Sequence, residues 1–410
     1  MFRKYTKTMA SPSGYKARLK RNFAVVAGFL IFIFLIVILI YGKQHMDAQA
    51  TAEAVDNQLP PVPYISAESA VLIEGASGRV LYEKDKDKVL PPASTTKIMT
   101  ALIAVEWAED AEINETKESE TDAQLDHMFK ISDKAAGIEG STIYLEKDEE
   151  VSMRDLLYGM MLRSGNDAAI AVAEGVAGDA DTFVEMMNSR AESLGLTNTH
   201  FDNPNGLHTE THVSTAYDLA ILSREAMKHN TFRSLAETKV WNASRAGADN
   251  YNYFYNKNKI IFKYEGATGI KIGYTEASGR CLVASARKNG MELIAVVLND
   301  HNWFEDAAKL FDYGFASYNN VKIADAEEAM MKVDIINGDK PAAAVGAKDE
   351  VICPSLKGQK TDISLIYDIP EQTDAPVSRW QQAGKLDVFS GENYVYSVPL
   401  YYLEDIDEDD

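Results

Sequence analysis

"PPASTTKIMTALIAVEW" (Pro91–Trp107) places a serine where an apolar helix begins and a lysine three residues further on. Serine is a favoured cap at a helix N-terminus, so Ser94 has a plain structural reading. Residues three apart share one helical face, so Ser94 and Lys97 also have a chemical reading: a nucleophile with its base one turn along. The tetrad Ser-x-x-Lys decides little by itself, because it recurs at Ser13–Lys16 and Ser285–Lys288. Only Ser94–Lys97 opens a long apolar helix.

Upstream, "SAVLIEGASGRVLYEKD" (Ser69–Asp85) alternates apolar residues around Gly75 and Gly78, as a β-hairpin does. Downstream, Glu109–Asp126 holds eight acids and one lysine and reads as a solvated loop. "VSMRDLLYGMML" (Val151–Leu162) and "DAAIAVAEGVAG" (Asp167–Gly178) read as apolar helices flanking "RSGN" (Arg163–Asn166). Next come a helix over Asp181–Leu194, the turn "FDNPNGLH" (Phe201–His208) and a helix over Thr215–His229. From Lys259 the chain is rich in Ile, Val and Tyr broken by Gly, which predicts strands. One further helix starts at Trp303 and is expected to stop at Gly314. Strands, helices, then strands imply an α+β domain around an antiparallel sheet, over residues 64–316. Residues 320–402 alternate in short segments and imply a small all-β domain. The acidic tail, 403–410, is expected to be disordered.

Both ends of the charge distribution restrict function. The net charge is −21, yet residues 1–41 carry seven basic residues and no acid, which leaves −28 on the rest. So acidic a body argues against nucleic acid as a partner. Residues 1–22 are a basic segment expected in the cytoplasm. Phe23–Tyr41 is 19 residues without a charge, long enough to span a bilayer. The basic flank orients it with its N-terminus inside. It is either a transmembrane signal anchor or a signal peptide cleaved at the Ala-x-Ala of "DAQA" (Asp47–Ala50); both readings export the remainder of the chain. Residues 42–63 form a polar linker ending in "LPPVP". The two cysteines, Cys281 and Cys353, have no metal-site spacing and could be buried thiols or a disulfide.

Three polar clusters then stand in a significant order: Ser94-x-x-Lys97, Ser164-Gly165-Asn166 between two helices, and Lys271-Ile272-Gly273 in a strand. Each is ordinary alone, as a cap, a turn and a half-exposed strand. Together they resemble the Ser-x-x-Lys, Ser-x-Asn and Lys-Thr-Gly set of penicillin-binding proteins and class A β-lactamases. The flanks "GSTIYLEKDEEVSMRDLLYGMMLRSGNDAAIAVAE", "FDNPNGL", "STAYDLAILS" and "GYTEASGRCLVASA" closely resemble the serine-type D-alanyl-D-alanine carboxypeptidases of low molecular mass. "APVSRWQQAGKLDVFSGENYVYSVPL" is similar to that family's C-terminal domain.

The resemblance implies a DD-peptidase fold, an antiparallel sheet with a helical cluster. It implies removal of the terminal D-Ala from peptidoglycan stem peptides through an acyl-enzyme, with β-lactams as acylating inhibitors. It needs no metal or organic cofactor. Ser94 would be the nucleophile, Lys97 its base and Ser164 a proton relay. Asn166 would bind a substrate carbonyl and fix Lys97. Lys271 would lower the Lys97 pKa by its charge. The amides of Ser94 and Tyr274 would form the oxyanion hole, and Gly273 would let substrate backbone lie on its strand.

The chain also departs from that family. Ile272 replaces the threonine whose hydroxyl meets a substrate carboxylate. Losing one such bond costs about 1.5–3 kcal/mol, which impairs activity and leaves a weakly active or non-catalytic wall-binding relative as the alternative. The arginine common before "FDYGF" is missing; His301 either stands in or is an ordinary loop histidine. The C-terminus is acidic where relatives carry an amphipathic anchor, so the N-terminal segment is expected to hold the protein to the membrane.

Overall fold

The structure, a computed structural model, describes residues 59–110, 119–245, 251–359 and 362–409. The basic segment, Phe23–Tyr41, the "DAQA" site, residues 42–58 of the linker and Ser13–Lys16 lie outside the described residues. Among the described residues no helix is long and apolar enough to cross a membrane.

The expected hairpin forms as β1 (Ser69–Glu74) and β2 (Val80–Lys84). It joins β7 (Ala267–Thr275), β8 (Gly279–Lys288) and β9 (Met291–Leu298) in a five-stranded antiparallel sheet, ordered β2-β1-β9-β8-β7. Ser285–Lys288 lies in β8, so that tetrad is extended, and Ser285 is buried against Thr268.

One face of the sheet packs on the helical cluster. Its centre is α1 (Lys97–Asp110), wholly buried from Ile98 to Val105. A central helix buried all round needs no amphipathic stripe. Around it lie α2 (Ser119–Leu125), α3 (Asp133–Ala136), α4 (Met153–Tyr158) with a π-turn at Gly159–Arg163, α5 (Asn166–Ala177), α6 (Ala180–Ser193), α7 (Ala216–Ala226) and α8 (Asn230–Glu237). Short ribbons β3–β4 (Met128–Lys130, Glu150–Ser152) and β5–β6 (Val240–Asn242, Tyr253–Tyr255) edge the cluster. The other sheet face is covered by α9 (Ile260–Lys263) and α10 (Trp303–Ser317) over a second core with Leu72, Leu282, Leu293 and Phe311.

Several expectations are corrected. The Glu109–Asp126 loop is partly helical, since α1 reaches Asp110 and α2 begins at Ser119; residues 111–118 are outside the description. "IIFK" is a helical turn, not a strand. The last helix passes Gly314 and ends at Ser317. A Cβ on Gly314 would come within 2.6 Å of Leu293 and 2.8 Å of Leu72, so this glycine admits close helix–sheet approach instead of ending the helix. α8 and the β5–β6 ribbon were not anticipated.

The all-β domain has a two-stranded ribbon, β10 (Tyr318–Ala324) with β13 (Val351–Leu356). Its six-stranded sheet is ordered β14-β16-β17-β12-β11-β15, from β11 (Met331–Ile336), β12 (Ala342–Gly346), β14 (Ile363–Asp368), β15 (Gln372–Asp374), β16 (Gln382–Ser390) and β17 (Asn393–Tyr402). The tail is folded over its described residues, contrary to expectation. Ile406 is buried and exchanges backbone hydrogen bonds with Val377, and the Asp409 amide donates to Asn337 O at 2.8 Å. Lys340 and the Arg379 amide also hold Glu404 and Asp405, so the acids themselves take part in docking it. Cys281 and Cys353 are free, buried thiols.

Candidate active site

Ser94 sits in a 3-10 turn, Ala93–Thr96, that leads directly into α1. Ala93 is left-handed at φ 50°, a backbone state that costs a β-carbon residue energy and that clusters at functional sites. Two glycines hold the turn. A Cβ on Gly206, itself at φ 84°, would lie 2.0 Å from Ala93 O, and one on Gly273 would lie 2.9 Å from the Ser94 amide nitrogen. Gly273 thus gives room to the protein's own Pro92–Ser94 backbone.

Lys97 is fully buried in the first turn of α1. Its Nζ donates to Ser94 Oγ at 2.9 Å, Asn166 Oδ1 at 2.8 Å and Asn205 O at 2.6 Å. Burial, then the positive charge of Lys271, holds its pKa well below the usual lysine range, with Lys257 adding to the effect and Asp167 opposing it. Lys271 is also buried, and burial with Lys257 nearby lowers it to about 7. Its Nζ donates to Ile272 O at 3.0 Å.

The second motif comes directly after the π-turn. Ser164 is left-handed at φ 64° and nearly buried. Asn166 begins α5; its Nδ2 donates to Glu139 O at 2.6 Å, which turns Oδ1 toward Lys97. Asp167 accepts from the amides of Ile143, Leu145 and Ala168, fixing the loop 139–145 that walls the site.

In the sheet, Lys271 pairs with Val283 of the helical-cluster face. Ile272 pairs with Leu282 and packs half-buried on the α10 side. Strand side chains alternate between faces, so the two diverge. Tyr274 is 63 % exposed on β7, and β7 is an edge strand. An unpaired edge offers N–H and C=O groups to an extended peptide. His301 is exposed, and its carbonyl accepts from Arg280 at 2.9 Å.

The structure therefore brings Ser94, Lys97, Asn166, Lys271, Gly273 and the Ser164 turn together, and leaves the Ile272 side chain to the second core. Two contributors were missed. The loop 201–207 supplies Asn205 O and Gly206. It is held by Asn203, which accepts from Gly206 N at 2.7 Å, and by Thr100, which donates to Pro204 O at 2.6 Å. The Asn-Pro-Asn-Gly string was visible as a turn, but not its position beneath Ser94. Lys257 is the third cation, its own pKa lowered by burial and Arg163; nothing in its sequence marked it. Among the described residues, Glu106, Glu225 and His229 lie close enough to share a metal ion, yet Arg190 already bonds both glutamates.

A hydroxyl held on a buried lysine at a helix start, against an antiparallel sheet, is the layout of a serine hydrolase with lysine as base. The family model described as D-alanyl-D-alanine carboxypeptidase matches residues 54–302, and that of the penicillin-binding protein 5 C-terminal domain matches 318–408. The chain belongs to the D-alanyl-D-alanine carboxypeptidase family. It is 33% identical over 344 residues to the carboxypeptidase DacF of Bacillus subtilis, covering 83% of this chain and 86% of that one. It is 30% identical over 384 residues to DacC of Escherichia coli, covering 90% and 89%. The structure is similar to that of penicillin binding protein 5 from Haemophilus influenzae, with TM-score 0.67 and 28% identity, covering 85% of this chain and all of that one.

Proposed function

We propose that the protein is a serine D-alanyl-D-alanine carboxypeptidase that trims peptidoglycan stem peptides. Neutral Lys97 takes the Ser94 proton as Oγ attacks the carbonyl of the penultimate D-Ala. The amides of Ser94 and Tyr274 face the developing oxyanion, as preorganised donors do. Ser164 passes the proton to the leaving D-Ala amine, and water then hydrolyses the acyl-enzyme. Asn166 donates to a substrate carbonyl and fixes Lys97, and Lys271 attracts the substrate carboxylate. Gly273 keeps the Ser94 amide against β7, where the strand backbone at Ile272 and Tyr274 flanks the peptide. β-Lactams acylate the same serine. The observation that carries this reading is the 2.9 Å contact of buried Lys97 with Ser94 Oγ.

The test is D-Ala release from a stem pentapeptide ending in D-Ala-D-Ala, by the wild type and Ser94→Ala. Release by the wild type alone supports the reading; none by either overturns it. Ile272 favours a second reading, a weakly active or non-catalytic relative bound to the wall. That reading predicts penicillin labelling with little or no release.

Relatives of the cell envelope support an extracytoplasmic location. Residues 64–316 would be the catalytic domain and 320–402 the β domain. The linker 42–63 would tether them to Phe23–Tyr41 as membrane anchor, or free them if the signal is cleaved. Recovery of the whole protein in the cytoplasmic fraction would contradict this.

A further inference from the structure

Four tyrosines stand exposed beside the catalytic cleft: Tyr144, Tyr251, Tyr253 and Tyr255 are 59%, 51%, 58% and 56% accessible. Single exposed aromatics are ordinary, whereas a cluster marks an interaction surface. The rings come in two pairs, Tyr144 with Tyr251 at 4.4 Å between centroids and Tyr253 with Tyr255 at 5.7 Å. The ribbon that carries Tyr253 and Tyr255 is anchored on the helical cluster. The inward residue of β6, Phe254, is 1% exposed; Trp241 of β5 stacks on Tyr158 at 3.8 Å and donates to Asp155 at 2.7 Å. Alternation on the ribbon then forces Tyr253 and Tyr255 outward together. Tyr144 is held in the site's own wall, because Arg245 donates to its carbonyl at 3.0 Å.

The surface is continuous with the active site. Arg163, next to Ser164, donates to Tyr255 O at 3.5 Å, and the Lys257 amide donates to Leu162 O at 3.0 Å. Loop 139–145, which carries Tyr144, supplies Glu139 O to Asn166.

We propose that the four tyrosines form a subsite for the glycan strand that carries the stem peptide, an inference that rests on the peptidoglycan reading above. Aromatic faces are electron-rich, and the C–H faces of a pyranose ring are complementary to them. Tyrosine adds a hydroxyl for sugar oxygens and little entropy cost on binding. The subsite orients a peptide by gripping its sugar end while Ser94 acts on the other end.

The test separates the subsite from the chemistry. Peptide-free glycan strands are titrated into the full chain carrying Ser94→Ala, with and without Tyr253→Ala and Tyr255→Ala. The expected result is binding that weakens at least fivefold in the tyrosine variant. In parallel, kcat/KM is measured on the free stem pentapeptide and on the disaccharide-pentapeptide with Ser94 intact. The sugar-bearing substrate is expected to lead by fivefold or more in the wild type, and the tyrosine variant to lose that lead while keeping its rate on the free peptide. Unchanged glycan binding in the variant overturns the subsite, as does binding of phosphatidylglycerol vesicles in place of glycan. Absent hydrolysis with intact glycan binding overturns only the carboxypeptidase reading.

Discussion

At the scale of single residues, the proposed chemistry turns on two buried lysines. A base must be neutral to accept a proton, so with Lys97 as the proposed base acylation is expected to rise with pH through the Lys97 pKa. Burial and Lys271 hold that pKa low. Lys271→Ala removes a neighbouring positive charge, the Lys97 pKa rises, and the acidic limb of the acylation profile moves to higher pH. At neutral pH the loss is expected to be tenfold or more. Lys97→Ala should lose about 10²–10⁴-fold at every pH, the usual worth of a general base. Rates of both variants within threefold of wild type would remove the assignment. Ile272→Thr is the complementary change. Threonine keeps one Cβ branch against Leu282 and exchanges the other for a hydroxyl. With the residue 272 side chain on the α10 side of the sheet, its hydroxyl does not reach a substrate carboxylate, so kcat/KM is expected to change by less than threefold and equally on free-acid substrates and C-terminal amides. A gain of tenfold or more confined to free acids, the worth of one charge-assisted bond of about 1.5–3 kcal/mol, would show instead that residue 272 faces the carboxylate.

At the scale of elements, the geometry of the Ser94 turn depends on loop 201–207. Gly206→Ala must strain φ 84° and drive a Cβ into Ala93 O. Acylation should fall at least tenfold. Gly195→Ala is the control: φ is 71° but nothing lies within 4 Å, so it should cost about 1–2 kcal/mol of stability and no acylation. Equal acylation rates in the two variants would show that the turn does not need this support. This element also marks where the sequence was readable. The β1–β2 hairpin, α1, α5, α6 and α7 are legible from apolar period and from punctuation by Gly and Asn. The three motifs could be seen to belong together only by resemblance, since 166 and 97 meet through a fold that spacing does not encode. Gly314 misled because a glycine that lets a helix touch a sheet reads like one that ends a helix. Ile406 was hidden among acids, and Asn205 acts through its carbonyl, a group every residue has.

At the scale of the whole molecule, the helical cluster and the sheet each contribute half of the centre, Ser94 and Lys97 from one and Lys271 and Gly273 from the other. The β domain is fixed to the hairpin end of that sheet. Asn320 donates to buried Glu74 at 3.1 Å, Arg79 donates to Pro354 O, and Glu74 also takes the Ser77 amide and hydroxyl at 2.7 Å each. Formation of an acyl-enzyme on one serine of this assembly is measured by treating the intact chain with benzylpenicillin and recording its mass. The expected result is a mass gain of one penicillin, mapped to the peptide containing Ser94 and absent from Ser94→Ala. An unlabelled wild type, or an adduct on any other residue, would contradict it.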